Sequence, residues 1–403
     1  MDFRFEYRPG TIRYGDGCVA TLGAELDALD AENALVVTGR TVGETDAVMG
    51  PIEEGLGERI VGTFAETTPA KTLSTALRGA DRFEELGADA LVAVGGGSSL
   101  DVAKTIAAVA RTDRSEGALR EAFAESGSVP IADGALPPVC AVPTTLAGAD
   151  LSVVAGLTSR RDGLVRGGIY DQRLMPAGVW YDPELFRTTP HGVLCASAMN
   201  GFDKAIETTY AATATPITDG TAVRALRYLS DGLPALGAGD RDDETIRNAV
   251  VGTVLAQYGC SRPDALTLSL IHAFGHGIAR GYDIQQGGAH AIIAPHALSY
   301  LFGRVDTGRE LLAEGLRVEA DTSEATVDGI VRSVEDIRDA LGLPKRLRGI
   351  EDMSASDLPQ IAADVHTDGF MNYCPDGLDP TVGEIEGVLR QAWRLAETTV
   401  KAW

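Results

Sequence analysis

The chain is short of lysine. Of its 35 basic residues only Lys71, Lys104, Lys204, Lys345 and Lys401 are lysines, against 58 acidic residues and a net charge of −23. An acidic surface of that kind repels nucleic acid and anionic membranes, which rules out both as expected partners. Its self-repulsion is relieved by high salt, so the composition reads as that of a salt-adapted, halophilic protein, or simply of an acidic one. Cysteine is also scarce: five, scattered, with no CxxC pair. That excludes a disulfide scaffold and a zinc ribbon, and it suits a reduced cytoplasmic setting. No run of residues is apolar enough to span a bilayer, and no basic stretch followed by an apolar one opens the chain. In so lysine-poor a chain, a lysine inside a motif is less readily dismissed as surface filler.

What is present is length and alternation. With 403 residues the chain has room for two full-sized cores. In the first half, strand-like runs alternate with helical ones. "ALVVTG" (34–39), "ADALVAVGGGSS" (88–99) and "PPVCAVPTT" (137–145) read as buried strands, and "KTLSTALRGADRFEELG" (71–87) and "DVAKTIAAVAR" (101–111) as helices. Strands separated by helices imply parallel βαβ units. "GETDAVMGPIEEGLG" reads as a short helix with Pro51 near a turn, and "SVVAGLT", "RGGIYD" and "GVWYDPEL" read as a meander of short strands. After Pro190 the pattern is helical, including "HGVLCASAMNGFDKAIETTYAAT" and the whole of "PDALTLSLIHAFGHGIARG". The expected division is an α/β domain over residues 1–188 and an all-helical domain over 189–403.

"ALVAVGGGSSLDVAKTIAAVA" is a strand, three glycines and a helix. Gly95, Gly96 and Gly97 carry no Cβ, so backbone N–H groups can converge on an anion where the helix starts. The pyrophosphate of a dinucleotide suits that cradle, although the spacing is neither GxGxxG nor a P-loop. A plain tight turn with a capping box, Ser98 as N-cap and Asp101 three residues on, accounts for the same residues.

"GGGSSLDVAK" resembles the GGGS-x-x-D-x-x-K signature of the iron-containing (group III) alcohol dehydrogenases. "PTTLAGAD" (143–150), "YDPEL" (181–185), "AIETTYA" (205–211) and "PHAL" (295–298) follow in that family's order, from about residue 10 to residue 390. The resemblance implies an N-terminal Rossmann-like α/β domain and an all-α C-terminal domain, the dehydroquinate synthase-like fold, with the active site in the cleft between. It implies NAD or NADP as cofactor, a small-molecule substrate and a homodimer. Gly95, Gly96, Gly97 and Ser98 would hold the pyrophosphate, with Asp101 in the same motif. Thr144 and Thr145 would line the path toward the nicotinamide, Ser152 is a further cofactor-binding candidate, and Arg166 falls about where the family often has a cofactor-binding lysine. Where NAD-preferring members have an Asp, this chain has Gly39 and then Arg40. Losing a carboxylate and gaining a cation makes room for a 2′-phosphate; an ordinary solvated loop arginine is the other reading of Arg40.

Four of the six histidines fall in "LIHAFGHGIARGYDIQQGGAHAIIAPHAL" (270–298). Metal-binding members of the family use an Asp, a His four residues later, and two more His. Carried over position by position, these become Asn200, Lys204, His272 and Gln286. Neutral amides are weak ligands for a transition metal, and an ammonium is none at all. No metal is therefore expected; a rescue by Asp203 with His272 and His276 would need Asp203 to turn away from where its place beside Lys204 puts it. His276 matches the family's non-ligand histidine near the nicotinamide, and His272 lies one turn before it on the same face. Both could instead be core histidines. His290 and His296 read as structural or supporting residues, and His191 and His366 as surface ones.

Lys204 then becomes the candidate for the metal's polarising role, with His272 or His276 as proton donor; a salt bridge to Asp203 or Glu207 is the alternative. The shortened "PTTLAGAD", Asn200 and "GGAHAIIAPHAL" resemble the maleylacetate reductase branch. Lys204 and Gln286 stand where that branch usually keeps histidines. The function implied is NAD(P)H-dependent reduction of a small oxo compound, an oxo acid, without metal. The alternatives are a metal-dependent alcohol or aldehyde dehydrogenase with rearranged ligands, and a catalytically dead nucleotide-binding homologue.

Overall fold

The computed structural model describes residues 3–160 and 163–394. The chain divides into two compact units, Met1–Pro190 with Ser261–Asp264, and His191–Cys260 with Ala265–Trp403.

The first unit is built on a six-stranded parallel sheet. Its strands are β1 (Thr11–Tyr14), β2 (Ala34–Gly39), β3 (Ile60–Thr67), β4 (Ala90–Gly95), β5 (Val139–Pro143) and, after a separate antiparallel hairpin of β6 (Val154–Ser159) and β7 (Val165–Tyr170), β8 (Gly178–Tyr181). The order is β1-β8-β5-β4-β2-β3. β4 and β5 are buried along their whole length, as strands covered by helices on both faces must be. The expected three-strand meander is thus corrected: "GVWY" leaves the hairpin and pairs in parallel with β1 and β5. Its four residues are all buried, with no alternation to mark it as a hairpin strand.

β3 and β4 lie on opposite sides of β2, so the chain reverses direction across the sheet between β2 and β4. In open α/β sheets a ligand crevice forms outside the carboxyl ends of the strands at such a reversal. Those ends are Gly39 and Gly95.

The second unit is helical. The helix His191–Thr208 carries Asn200, Asp203, Lys204 and Glu207, all buried. The helix Leu270–Gly281 carries His272 and His276, and Gln286–Phe302 carries His290 and His296. Two boundaries differ from expectation. Residues 263–269 are not helical, because Glu207 caps the histidine helix only at Leu270–His272, as described below. The helix Asp46–Leu56, in the first unit, runs through Pro51 rather than turning there. Pro51 is the sixth of its eleven residues; its missing N–H removes one bond from a helix whose apolar side, Val48, Met49, Ile52 and Leu56, is buried. Among the described residues no helix is long and apolar enough to cross a membrane.

Candidate active site

The glycine loop follows β4. Gly95 has φ +126°, a conformation open to glycine and strained for other residues, and Gly96 is the N-cap of the helix Gly97–Val109. The expected capping box is absent: no side chain caps this helix, and Asp101 points inward to Lys71, with Lys71 Nζ donating to its Oδ2 at 2.6 Å. With no side-chain cap, and with the Ser99 N–H turned back to Gly96 O at 3.0 Å, the Gly97 and Ser98 N–H groups at the helix start suit an outside acceptor, which is what an anion site requires. The segment after β5 forms the facing wall. A Cβ on Gly96 would lie 3.3 Å from Thr145, and one on Gly97 3.3 Å from Ala149. Thr144 N–H donates to Gly95 O at 3.0 Å. Ser152 is tied to Ser261 by a hydroxyl contact of 3.2 Å. Gly39 ends β2, and Arg40 is exposed in the turn of helix that follows. Arg166 lies on β7 opposite Thr158, facing solvent. These residues fit a dinucleotide pyrophosphate held by backbone N–H groups.

The second unit gathers a different chemistry. Glu207, wholly buried, accepts from the backbone N–H of Ile271 (2.5 Å) and of His272 (3.1 Å) through Oε1, while Oε2 meets His272 Nδ1 at 2.5 Å. Ser269, the N-cap, offers no side-chain cap, so Glu207 does that work from another helix and fixes the imidazole as well. Burial pushes the Glu207 carboxyl up to about 8 in spite of those donors. His272 is held well below its ordinary value, by burial first and then by His290, Lys204 and His276. Its ring lies 4.4 Å from that of His290.

His290 is fully buried and its Nδ1 lies 3.0 Å from Asp203 Oδ2, an ion-pair separation at an angle that makes no hydrogen bond. Asp203 therefore turns inward, contrary to the expectation that its place beside Lys204 would aim it elsewhere. Burial raises its pKa well above the ordinary carboxylate range, and the Lys204 charge opposes the rise. Burial and Lys204 together depress His290. Lys204 is thus buried among Asp203, His272 and His290, rather than held in an exposed salt bridge. Among the described residues Asp203, both ring nitrogens of His290 and His272 Nε2 have no hydrogen-bond partner, an arrangement that costs free energy unless something polar joins them.

His276 is the accessible member, with 41 % of its side chain exposed. Its Nδ1 lies 3.1 Å from Asp368 Oδ2, and the Phe370 ring covers it at 4.8 Å. Asp368 Oδ1 accepts from Phe370 N–H, so both carboxylate oxygens are committed. Asp368 was not visible in the sequence: it lies 92 residues from His276 and in no recognisable spacing. His296 is largely buried, with its pKa pushed down to about 4, and His191 and His366 are exposed.

The donors do not fit a divalent metal. An ammonium and two amides stand at three of the four positions carried over from the family, and no group of three or more His, Cys, Asp or Glu side chains among the described residues is arranged to hold an ion.

Residues 9–183 match the family model "Iron-containing alcohol dehydrogenase" and residues 194–393 match the C-terminal model of the Fe-containing alcohol dehydrogenase family. The chain belongs to the iron-containing alcohol dehydrogenase family. It is similar to maleylacetate reductase of Burkholderia cepacia, 28% identical over 86% of this chain and 87% of that one. The NAD-dependent methanol dehydrogenase of Bacillus methanolicus is also 28% identical, over 82% and 85%. The solved maleylacetate reductase of Agrobacterium tumefaciens shares the fold, with a TM-score of 0.77 at 23% identity over 98% of each chain.

Proposed function

We propose that this oxidoreductase is an NAD(P)H-dependent reductase of a small oxo compound, an oxo acid or 2-enoate anion, working without metal. The observation that carries the reading is the buried Lys204 beside His272 and His290, at a position where family members place a metal ligand. Gly95, Gly96 and Gly97 would hold a nicotinamide dinucleotide, which would supply the hydride with its electron pair. As the carbonyl carbon takes the hydride, its oxygen takes the C–O π electrons, and the Lys204 ammonium donates a hydrogen bond to that growing charge. His276, with Nδ1 held by Asp368, delivers the balancing proton from Nε2 and is reloaded from solvent. A Lys- and His-lined site suits an anion better than a simple alcohol. The test is NAD(P)H oxidation over a panel of oxo acids and aldehydes, with elemental analysis of the purified protein. Turnover that requires stoichiometric zinc or iron overturns the metal-free reading, and nucleotide binding without turnover on any substrate points to a dead homologue.

Two expected results follow from this reading. NADPH binds at least as tightly as NADH, because Arg40 is exposed with no ion-pair partner among the described residues, beside a Gly39 that offers no carboxylate to a ribose. Arg40→Ala should weaken NADPH by about tenfold, the worth of one charged hydrogen bond, and leave NADH unchanged; equal losses for both remove Arg40 from the 2′-phosphate site. Asp368→Asn should lower kcat about tenfold, a fraction of the ~10²–10⁴ a general acid supplies. The check is the His276 tautomer read by ¹⁵N NMR: a tautomer unchanged in the variant removes Asp368 from the role of orienting the ring.

A further inference from the structure

We infer that Lys104 is a positioning residue for the nucleotide site: its ammonium pins the wall that faces the glycine loop. The inference rests on the nucleotide reading of the glycine loop given above. Lys104 is wholly buried, in the same helix whose N-terminus forms the loop. Its Nζ donates to three backbone carbonyls, Ser152 O at 2.7 Å, Ala149 O at 3.1 Å and Val154 O at 3.3 Å. An ammonium has three protons, and here each has one acceptor.

The three carbonyls belong to the segment that carries the wall. Ala149 lies against Gly97, and Thr145, four residues earlier, lies against Gly96. Ser152 and Val153 are anchored on their other side by the Ser261 hydroxyl. Because Nζ has no exposure, the three oxygens are directed into the protein. That matters at an anion site, where a carbonyl oxygen on the wall repels a phosphate as an N–H attracts it. One helix thus supplies both the N–H groups that face the anion and the pin that keeps acceptors off the opposite side.

A buried charge held only by carbonyls is expensive, and nothing in packing requires it. The charged groups around Lys104 do not neutralise it directly. Asp101 is bonded to Lys71, and Asp150 accepts from the Tyr181 hydroxyl. Burial lowers the Lys104 pKa to about 8, with Asp101 and Asp150 opposing the shift and Lys71 adding to it. A neutral amine has two protons to donate, so deprotonation releases one carbonyl.

The experiment is titration of the full-length protein with NADPH and with NADH by calorimetry, at pH 7.0 and pH 9.5, for wild type, Lys104→Met and Asp101→Asn. The wild-type dissociation constant should rise several-fold across that pH range. Lys104→Met should bind about tenfold more weakly at pH 7, the scale of lost hydrogen bonds from a charged donor, with its pH dependence flattened. At saturating nucleotide its kcat should stay within a factor of about three, because the pin acts on binding rather than on the transition state. Asp101→Asn should retain a pH dependence but move it to lower pH, because the Asp101 charge holds the Lys104 pKa up. If Lys104→Met fails to fold, the wild-type pH series still decides: a flat dissociation constant from pH 7.0 to 9.5 overturns the inference. Tight binding that is equal in wild type and Lys104→Met overturns it too and leaves the nucleotide reading intact. Failure of the wild type to bind either nucleotide removes that reading, and the inference with it.

Discussion

Lys204→Met should reduce kcat by on the order of 10²–10³, the loss seen when one preorganised donor is taken from an oxyanion site. The position is the reason. Lys204 is buried, and its charge is strong enough at His272 and His290 to help depress both imidazoles. A cation fixed in such surroundings does not reorganise as charge grows on a substrate oxygen, so it lowers the barrier more than it tightens substrate binding. KM should therefore change less than kcat. Nucleotide affinity should barely change, because the glycine loop is built by the other unit. Lys204→Arg should rescue only in part, since a planar guanidinium places its protons differently from a compact ammonium. Loss of the cation also leaves Asp203 without the charge that opposes its desolvation, so the variant is to be checked for folding by its melting temperature. Near wild-type turnover by Lys204→Met on the best substrate found would reduce Lys204 to a buried partner of Asp203.

The sequence was legible where one physical pattern repeats. Fully apolar runs such as "ALVAVG" ending in glycines announce buried parallel strands, and the helices between them announce the crossovers. Strand β8 was misread because four residues, all buried, carry no period; only pairing with β1 and β5 says which sheet they join. The capping box was misread because Ser98 and Asp101 have the right spacing, while the competing partner, Lys71, is thirty residues away. The histidines could be counted and placed on helices, but their partners could not. Glu207 lies 65 residues before His272, and Asp203 is aimed at His290 by the packing of two helices that nothing in the local sequence joins. Even the start of the histidine helix depends on Glu207: an apolar stretch such as "ALTLSL" suits helix or strand, and the long-range cap settles the matter. Sequence pattern reports what a segment buries. Which charge faces which is decided by tertiary contacts, and at this site those contacts are the chemistry.

Close approach of helices should also be the most sensitive mechanical feature of the second unit, and two neighbouring glycines test it. A Cβ on Gly287 would lie 1.8 Å from the carbonyl oxygen of Ala196 and 3.3 Å from the backbone N of Asn200. Backbone cannot rotate out of the way, so Gly287→Ala must push the helix Gln286–Phe302 off the helix His191–Thr208. A Cβ on Gly288 would meet only Ile284, at 3.3 Å from Cγ1 and 3.5 Å from Cδ1, atoms of a flexible side chain. Both residues lie in the first turn of the same helix, so alanine's higher helix propensity favours both substitutions by about 1 kcal/mol or less. What separates them is the clash. Overpacking usually costs about 1–3 kcal/mol and more when the backbone must move, so Gly287→Ala should lose about 3 kcal/mol or more in denaturant unfolding, while Gly288→Ala should stay within about 1 kcal/mol of wild type. The displaced helices carry His290 on one side and Asn200, Asp203 and Lys204 on the other. Where Gly287→Ala still folds, its turnover should therefore fall with nucleotide affinity unchanged. Equal stability and equal turnover in the two variants would show that the contact at Ala196 yields easily and that the spacing of these helices does not set the geometry of the site.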